Sequence, residues 1–207
     1  QQNHNLSVQG GSDKIKYFGY FGYAKQETMV KTNGGDYKRY NIQSNIDAKI
    51  TDNLKIAIDL SMVSKDKNFP IRGMENESAF WQDYYLTKPW YPATLPDPNK
   101  VAWGGINVGS IATISNIDLM GYKRSNDKTV QGIATLTYDF PKIMGLQAKA
   151  NVNYSSNDVY AKSFQKPIVF WTYNPANQVY TASGSFTQSN LSEAIYRSRS
   201  FTQQYSM

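Results

Sequence analysis

The chain has 207 residues, no cysteine, one histidine and a formal net charge of +6. Without thiols there is no disulfide framework and no thiolate metal site. No apolar run approaches the roughly 18 residues of a membrane-spanning helix, which says nothing against spanning strands, since these need only about 9–11 residues of alternating character. The basic residues fall in small scattered groups (Lys14/Lys16, Lys38/Arg39, Lys123/Arg124, Arg197/Arg199). A nucleic-acid footprint concentrates them on one face, so nucleic acid is not an expected partner. Sixteen Tyr stand against nine Phe, a composition that suits long strands with one wet face. The chain begins Gln1-Gln2 and stops at Met207 in a strand-like stretch, as expected of a piece of a longer protein.

In chain order, Leu6, Val8 and Gly10 alternate with Asn5, Ser7 and Gln9. A turn at Gly11-Ser12-Asp13 leads to a strand in which Ile15, Tyr17, Gly19, Phe21 and Tyr23 share a face. Its other face begins with Lys14 and Lys16 but also holds Phe18 and Tyr20. A Gly-rich loop around Asn33-Gly34-Gly35 opens the clearest signal, residues 37–63. Tyr40, Ile42, Ile46, Ala48 and Ile50 share one face there, with Ser44 the one polar member. Asn41, Gln43, Asn45, Asp47 and Lys49 share the other. After Thr51-Asp52-Asn53, Leu54, Ile56, Ile58, Leu60 and Met62 oppose Lys55, Ala57, Asp59 and Ser61. Successive strand side chains point to opposite faces, so this is one oily and one wet wall.

Residues 66–128 read as a long irregular connection with five prolines and one short helix near Glu77–Leu86. Strand character returns at Thr129. Val130, Ala134, Leu136, Tyr138 and Phe140 oppose Gln131, Thr135, Thr137 and Asp139, with Ile133 an exception on the wet side. After a tight turn at 141–145, Leu146, Ala148, Ala150, Val152 and Tyr154 oppose Gln147, Lys149, Asn151, Asn153 and Ser155. Residues 161–190 read as irregular and 191–205 as a last, weakly alternating strand.

The connections alternate in length: tight at 11–13, 51–53 and 141–145, long at 27–36, 66–128 and 161–190. In an up-and-down sheet alternate connections share an end, so the short turns gather at one rim and the long loops at the other. That is the pattern of outer-membrane barrels. A structureless connection of about sixty residues is foreign to a compact soluble domain. Shifting the 54–62 strand by one residue turns Lys55 and Asp59 onto the oily face. Tyr40 and Tyr154 are expected near the long-loop rim, Tyr138 and Phe140 near the short-turn rim, as aromatic girdles; Tyr is also simply a good strand former.

The segment LSVQGGSDKIKYF (Leu6–Phe18) resembles a stretch of SusC/RagA-type TonB-linked outer-membrane transporters. The likeness continues through GYAKQE (Gly22–Glu27) and DYKRYNIQSNIDAKITDNLKI (Asp36–Ile56), with Thr28 standing where Gly usually follows the Glu. The later pair, GIATLTYDF and GLQAKANVNYS, is similar to the next hairpin of that family. The resemblance implies a barrel of about 22 strands, an N-terminal plug, coupling to TonB, and a SusD-like surface lipoprotein. It also implies uptake of glycans or peptides across the outer membrane of a Gram-negative, Bacteroidetes-like bacterium. Seven strands do not close such a barrel and leave two unpaired edges.

No catalytic constellation is visible. His4 is the one histidine, so no Ser-His-Asp arrangement is available, and no carboxylate cluster has zinc-ligand spacing. No phosphate-cradling glycine motif appears. Asp47 and Asp59 sit on paired strands as a glycosidase pair would, but read more simply as polar wall residues. Asp97 and Asn99 fall short of a calcium loop. The loop aromatics Trp81, Tyr84, Tyr85, Trp90, Trp103, Trp171 and Tyr173, with Tyr91 and Tyr180, admit three readings. They form the loop's own core, contact a partner protein, or stack on sugar rings.

The expectation is therefore an all-β protein with no enzymatic activity and no cofactor or metal. Residues 1–207 form an antiparallel up-and-down segment of a large transmembrane β-barrel, with 66–128 a long extracellular loop carrying a short helix. Asn41, Gln43, Asn45, Asp47, Lys55, Asp59, Lys149 and Asn151 line its lumen. Its partners are outer-membrane lipid, the rest of its own barrel and plug, TonB, and the lipoprotein. The alternative is a soluble all-β carbohydrate- or protein-binding module, with the oily faces meeting in a core.

Overall fold

The clearest alternation in the sequence forms the centre of a seven-stranded antiparallel sheet in this computed structural model. It describes residues 1–30, 33–72, 77–105 and 115–207, and the side chains of these except 77–79 and 186. Parts of the connections expected at 27–36 and 66–128 (31–32, 73–76 and 106–114) lie outside the described residues. The sheet strands are β1 (Gln2–Gly11), β2 (Ile15–Glu27), β3 (Asp36–Lys49), β4 (Leu54–Pro70), β6 (Gly121–Asp139), β7 (Gln147–Gln165) and β10 (Asn190–Ser206). They lie in the order β1-β2-β3-β4-β6-β7-β10, an uninterrupted meander. Between them come α1 (Glu77–Leu86), β5 (Val101–Ala102), α2 (Ile117–Met120), β8 (Ile168–Asn174) and β9 (Val179–Phe186).

The tight turns are built by side chains that satisfy the turning backbone. Thr51 Oγ1 accepts the amides of Asn53 at 3.3 Å and Leu54 at 3.0 Å, while the Ile50 amide donates to the Leu54 carbonyl at 2.8 Å. Ser12 Oγ accepts the amides of Lys14 and Ile15, both at 3.3 Å. These are the local hydrogen bonds that make Ser and Thr turn formers.

Several strands run further than the alternation suggests. β4 has 17 residues and β6 and β7 have 19 each. The pairing of β4 with β6 continues to Pro70 opposite Tyr122, so the ladder reaches well into the expected 66–128 loop. The reason is visible in the register. Beyond Met62 the oily face continues as Ser64, Asp66 and Asn68, while Lys65 and Lys67 occupy the other. Both faces are then polar, so the period-two signal disappears although the hydrogen-bonded ladder does not. The same extension moves Tyr154 to mid-strand, opposite Gly132 and Phe201, rather than to the long-loop rim.

The stretch expected to be irregular at 161–190 also holds β8 and β9, paired antiparallel, with β5 added in parallel to β8. The helix at Glu77–Leu86 forms where expected. It ends at Thr87, whose amide and Oγ1 both donate to the Asp83 carbonyl, at 3.0 and 2.7 Å, and Pro89 stops its continuation. The short α2 was not expected. Asn116 caps it by accepting the Asp118 amide at 2.8 Å. Gly121 follows at φ 95°, and a Cβ there would collide with the Phe164 carbonyl oxygen, so glycine is required twice over.

The core is not in the large sheet. Among the described residues, the buried apolar side chains include Pro70, Phe80, Ala102, Ile117, Met120 and Phe170, all at the long-loop end. Met120 and Phe170 are fully buried and gather Ile71, Val101, Trp103 and Ile168 around them.

Candidate functional site: a two-faced wall and its aromatic cap

Directly opposed residues in an antiparallel pair share a face, so the register assigns every side chain of the sheet. On one face, across β2, β3, β4, β6 and β7, the rows read Ile15-Ala48-Ile56-Leu136-Ala150 and Tyr17-Ile46-Ile58-Ala134-Val152, then Gly19-Ser44-Leu60-Gly132-Tyr154 and Phe21-Ile42-Met62-Val130-Ser156. β1 adds Val8 and Leu6, and β10 adds Tyr205 and Phe201. Many of these side chains are open: Leu6 is 70% exposed and Phe201 60%.

Rings and charges bound this apolar band. At its long-loop margin His4 stacks on Tyr23 at 6.2 Å, and Tyr23 meets Tyr40 at 5.2 Å. At the short-turn margin Tyr138 meets Phe140 edge-on at 5.0 Å. Further toward the long loops the same face carries ion pairs: Lys25–Glu27 at 2.6 Å, Lys38–Asp36 at 3.2 Å and Lys162–Glu193 at 3.8 Å.

The opposite face is polar. Asn41, Gln43, Asn45, Asp47, Lys55, Asp59, Lys149 and Asn151 all fall on it, as the alternation requires. Ile133 is also there, opposite Asp59 and Asn153, and Phe18 and Tyr20 lie opposite Asn45 and Gln43. Its side chains bond across strands: Thr135 Oγ1 to Asn151 Oδ1 at 2.8 Å, and Tyr20 Oη to Asn5 Oδ1 at 2.9 Å. Lys55 pairs with Asp139 at 3.1 Å. Asp47 and Asp59 are diagonal neighbours, with Asp47 opposite Ala57 and Asp59 opposite Asn45. Asp47 opens on a hollow at the short-turn end that Asp59 does not line.

The loop aromatics separate into two groups. Trp81, Tyr84 and Tyr85 project from α1, touching one another with centroid separations of 5.7, 6.4 and 5.6 Å. They are exposed, Tyr85 at 75%, and Trp90 beyond the helix is 73% exposed. The inner side of α1 is anchored by Phe80 and by Asp83, which holds Arg72 in a two-bond fork at 3.0 and 3.1 Å. Burial pushes the Asp83 carboxyl above its ordinary range, with the Arg72 charge opposing that shift.

The second group is packed into the three-stranded sheet. Trp103 meets Tyr91 edge-on at 5.3 Å, and its amide donates to the Trp171 carbonyl at 2.9 Å. Tyr173 lies against Tyr180 at 4.7 Å. Lys100 stands over the rings of Trp171 and Tyr180, at 5.3 and 4.7 Å, and pairs with Asp97 at 2.7 Å. Hydrogen bonding from Lys100 and the Asn99 amide lowers the Asp97 carboxyl. That carboxylate, considered above as a calcium ligand with Asn99, is thus engaged by the turn itself. Of the three readings of the aromatics, the loop's own packing describes Trp103, Trp171 and Tyr173. It leaves Trp81, Tyr84, Tyr85 and Trp90 facing outward. Lys100 and Arg72 were invisible to sequence reasoning, because their ring and carboxylate partners are brought to them only by the folded loops.

The register and topology define an all-β protein whose large sheet is an antiparallel, up-and-down meander with two unpaired edges, β1 and β10. Neither a protein-family model nor a curated protein matches the chain. Among solved structures, the outer membrane transporter YddB from Escherichia coli is similar over 100% of this chain, at 8% identity and a TM-score of 0.41. The chain spans 26% of that protein's length.

Proposed function

We propose that this chain is a section of the wall of an outer-membrane β-barrel of the SusC/RagA type, importing a nutrient such as a glycan or peptide through its lumen. The observation that carries this reading is the uncovered apolar band. Along β4 it runs through Leu54, Ile56, Ile58, Leu60 and Met62. The five rows are four steps of about 6.7 Å apart, about 27 Å along the strand. At the usual barrel tilt of about 35–45° that becomes about 21 Å, which the rings at the two margins extend toward the roughly 25 Å of a lipid-facing band. A water-soluble monomer rarely leaves so large a contiguous apolar surface open.

The remaining features support the same reading. Charged rows above the band support a position of the upper strands and the aromatic cap outside the hydrocarbon, on the long-loop side. The exposed Trp81, Tyr84, Tyr85 and Trp90 then offer a contact surface for a SusD-like lipoprotein or for incoming substrate. Bacterial barrels of this kind have even strand numbers. β1 and β10 run in the same direction in a seven-stranded sheet, so antiparallel closure requires an odd number of further strands. The role of the wall is passage rather than catalysis, and coupling to TonB is assigned to no residue here.

The test is depth-dependent quenching. Tryptophan placed at Ile46 or Leu60 is quenched by brominated lipid acyl chains, while tryptophan at Asn45 or Ser61 is not. A chain that dissolves as a monomer without detergent, with both pairs of positions equally unquenched, overturns the proposal in favour of a soluble binding module.

A further inference from the structure

The short-turn end of the polar face gathers lysines. Lys49 and Lys55 are directly opposed across β3 and β4, and the row continues through Thr137 to Lys149. On the other side the Lys14 carbonyl accepts the Lys49 amide at 2.7 Å, which sets Lys14 beside it. With Lys16, opposite Asp47, the residues Lys14, Lys49, Lys55 and Thr137 line an open hollow of about 280 Å³. Its walls set the four ammonium groups of Lys14, Lys16, Lys49 and Lys55 against the two carboxylates of Asp13 and Asp47.

Like charges directly opposed across a ladder destabilise a sheet. The other face shows how such a pair is relieved. Lys25 and Lys38 are also directly opposed, but each holds its own carboxylate, Glu27 at 2.6 Å and Asp36 at 3.2 Å. Around the hollow the relief is incomplete. Lys55 reaches Asp139 at 3.1 Å, and among the described residues Lys49 makes no ion pair. The excess positive charge therefore faces a cavity rather than a neighbouring carboxylate. A concave site with an excess of one sign of charge concentrates ions of the other.

We propose that this hollow binds the carboxylate of an acidic solute, an acidic sugar or an acidic amino-acid side chain. It sits at the short-turn mouth of the polar face. The proposal rests on the cargo class given above and narrows it to anionic members. Small-molecule sites run from about 300 Å³ upward, so the hollow accommodates about one sugar ring or one side chain of a longer solute. Lys49 and Lys55 meet the carboxylate, Asp139 keeps Lys55 in place, and Lys14 and Lys16 close the sides.

The test is calorimetric titration of the full-length protein in detergent with a galacturonic acid trimer, a glutamate trimer and an uncharged galactose trimer. At least one acidic trimer binds about tenfold more tightly than the neutral one, and its affinity falls several-fold as added salt screens the charges. The double variant Lys49→Gln/Lys55→Gln loses about tenfold in affinity for it, whereas Lys49→Arg/Lys55→Arg retains binding. The opposite-face variant Lys25→Gln/Lys38→Gln leaves it unchanged. Far-UV circular dichroism verifies that each variant keeps its strand content, and the arginine pair decides the matter where the glutamine pair misfolds. Equal affinity for all three trimers overturns the inference, as does the absence of acidic binding, undiminished binding after charge removal in a folded variant, or lost binding in a folded arginine pair. Acidic binding by a chain that stays monomeric in water leaves the hollow standing and removes the transport reading. Membrane insertion without acidic binding does the reverse.

Discussion

The large sheet and the loop cap solve the burial problem in opposite ways. The cap folds as small water-soluble proteins do, closing Met120 and Phe170 behind Ile71, Val101, Trp103 and Ile168. The sheet holds its apolar side chains in register on one face and leaves them open. Its strands are joined by backbone ladders of up to 19 paired residues and, among the described residues, bear no second layer over the band. The two regions part at the level of Tyr23 and Tyr40. Below that level the band's face is apolar; above it the same face carries ion pairs, with Ile195 and Leu191 exposed beside them, while the buried apolar groups gather in the cap. The comparison teaches that the location of a core, rather than apolar content, reports which solvent a region was shaped for.

The largest effect should separate the two regions. Phe170→Ala is expected to cost the cap about 3–5 kcal/mol through its cavity, loosening β5, β8 and β9 while the seven-stranded ladder stays protected. Hydrogen exchange of the two sheets checks this, and joint melting of both would show that they are one cooperative unit. Next, on the proposed membrane reading, Ile58→Arg should destabilise the sheet in lipid by about 2–4 kcal/mol, whereas Ala57→Arg, one residue away beside Asp47, should cost little. Folding of the full-length protein into liposomes measures both, and equal tolerance would erase the distinction between the faces.

A smaller effect tests the seam between the regions. Gly121→Ala forces a side chain into a left-handed backbone against the Phe164 carbonyl, with an expected cost of about 1–3 kcal/mol. Proteolysis is expected to increase around α2 and the start of β6. The smallest effect is a pH response confined to the cap. The Asp97 carboxyl is lowered by its hydrogen bonds. Its contribution is therefore present above the ordinary carboxylate range and lost as pH falls through the lowered value. Below that point the Asn99 amide, which donates to Asp97 Oδ1 at 2.9 Å, should exchange faster. Asp83 has the opposite sign: burial raises its carboxyl, so its contribution falls as pH rises through that raised value. Acidification should therefore protonate Asp83 first, and the 97–100 turn should loosen only at the lower pH where Asp97 takes up its proton.

What the amino-acid order determined alone is the part with period two. Over residues 6–63 and 129–155 the alternation of Ile, Leu, Val and Tyr with Asn, Gln, Asp and Lys dictates strands, faces and the short turns, because a pleated ladder reads side chains two by two. The helix at Glu77–Leu86 was legible for the related reason that it holds no Gly or Pro until Pro89. The polar-face residues were legible as sharing a wall; that Lys14, Lys16, Lys49 and Lys55 enclose a hollow was not, since it depends on how neighbouring strands and their tight turns meet at one rim. Tertiary structure alone decided the upper strand segments, where both faces are wet and alternation has nothing to report. It also decided the cap, where Lys100 meets Trp171 and Tyr180, and Phe170 meets Met120, across 50 or more residues of chain. Such contacts are set by where the long loops come back to the ladder, a distance that local sequence does not encode.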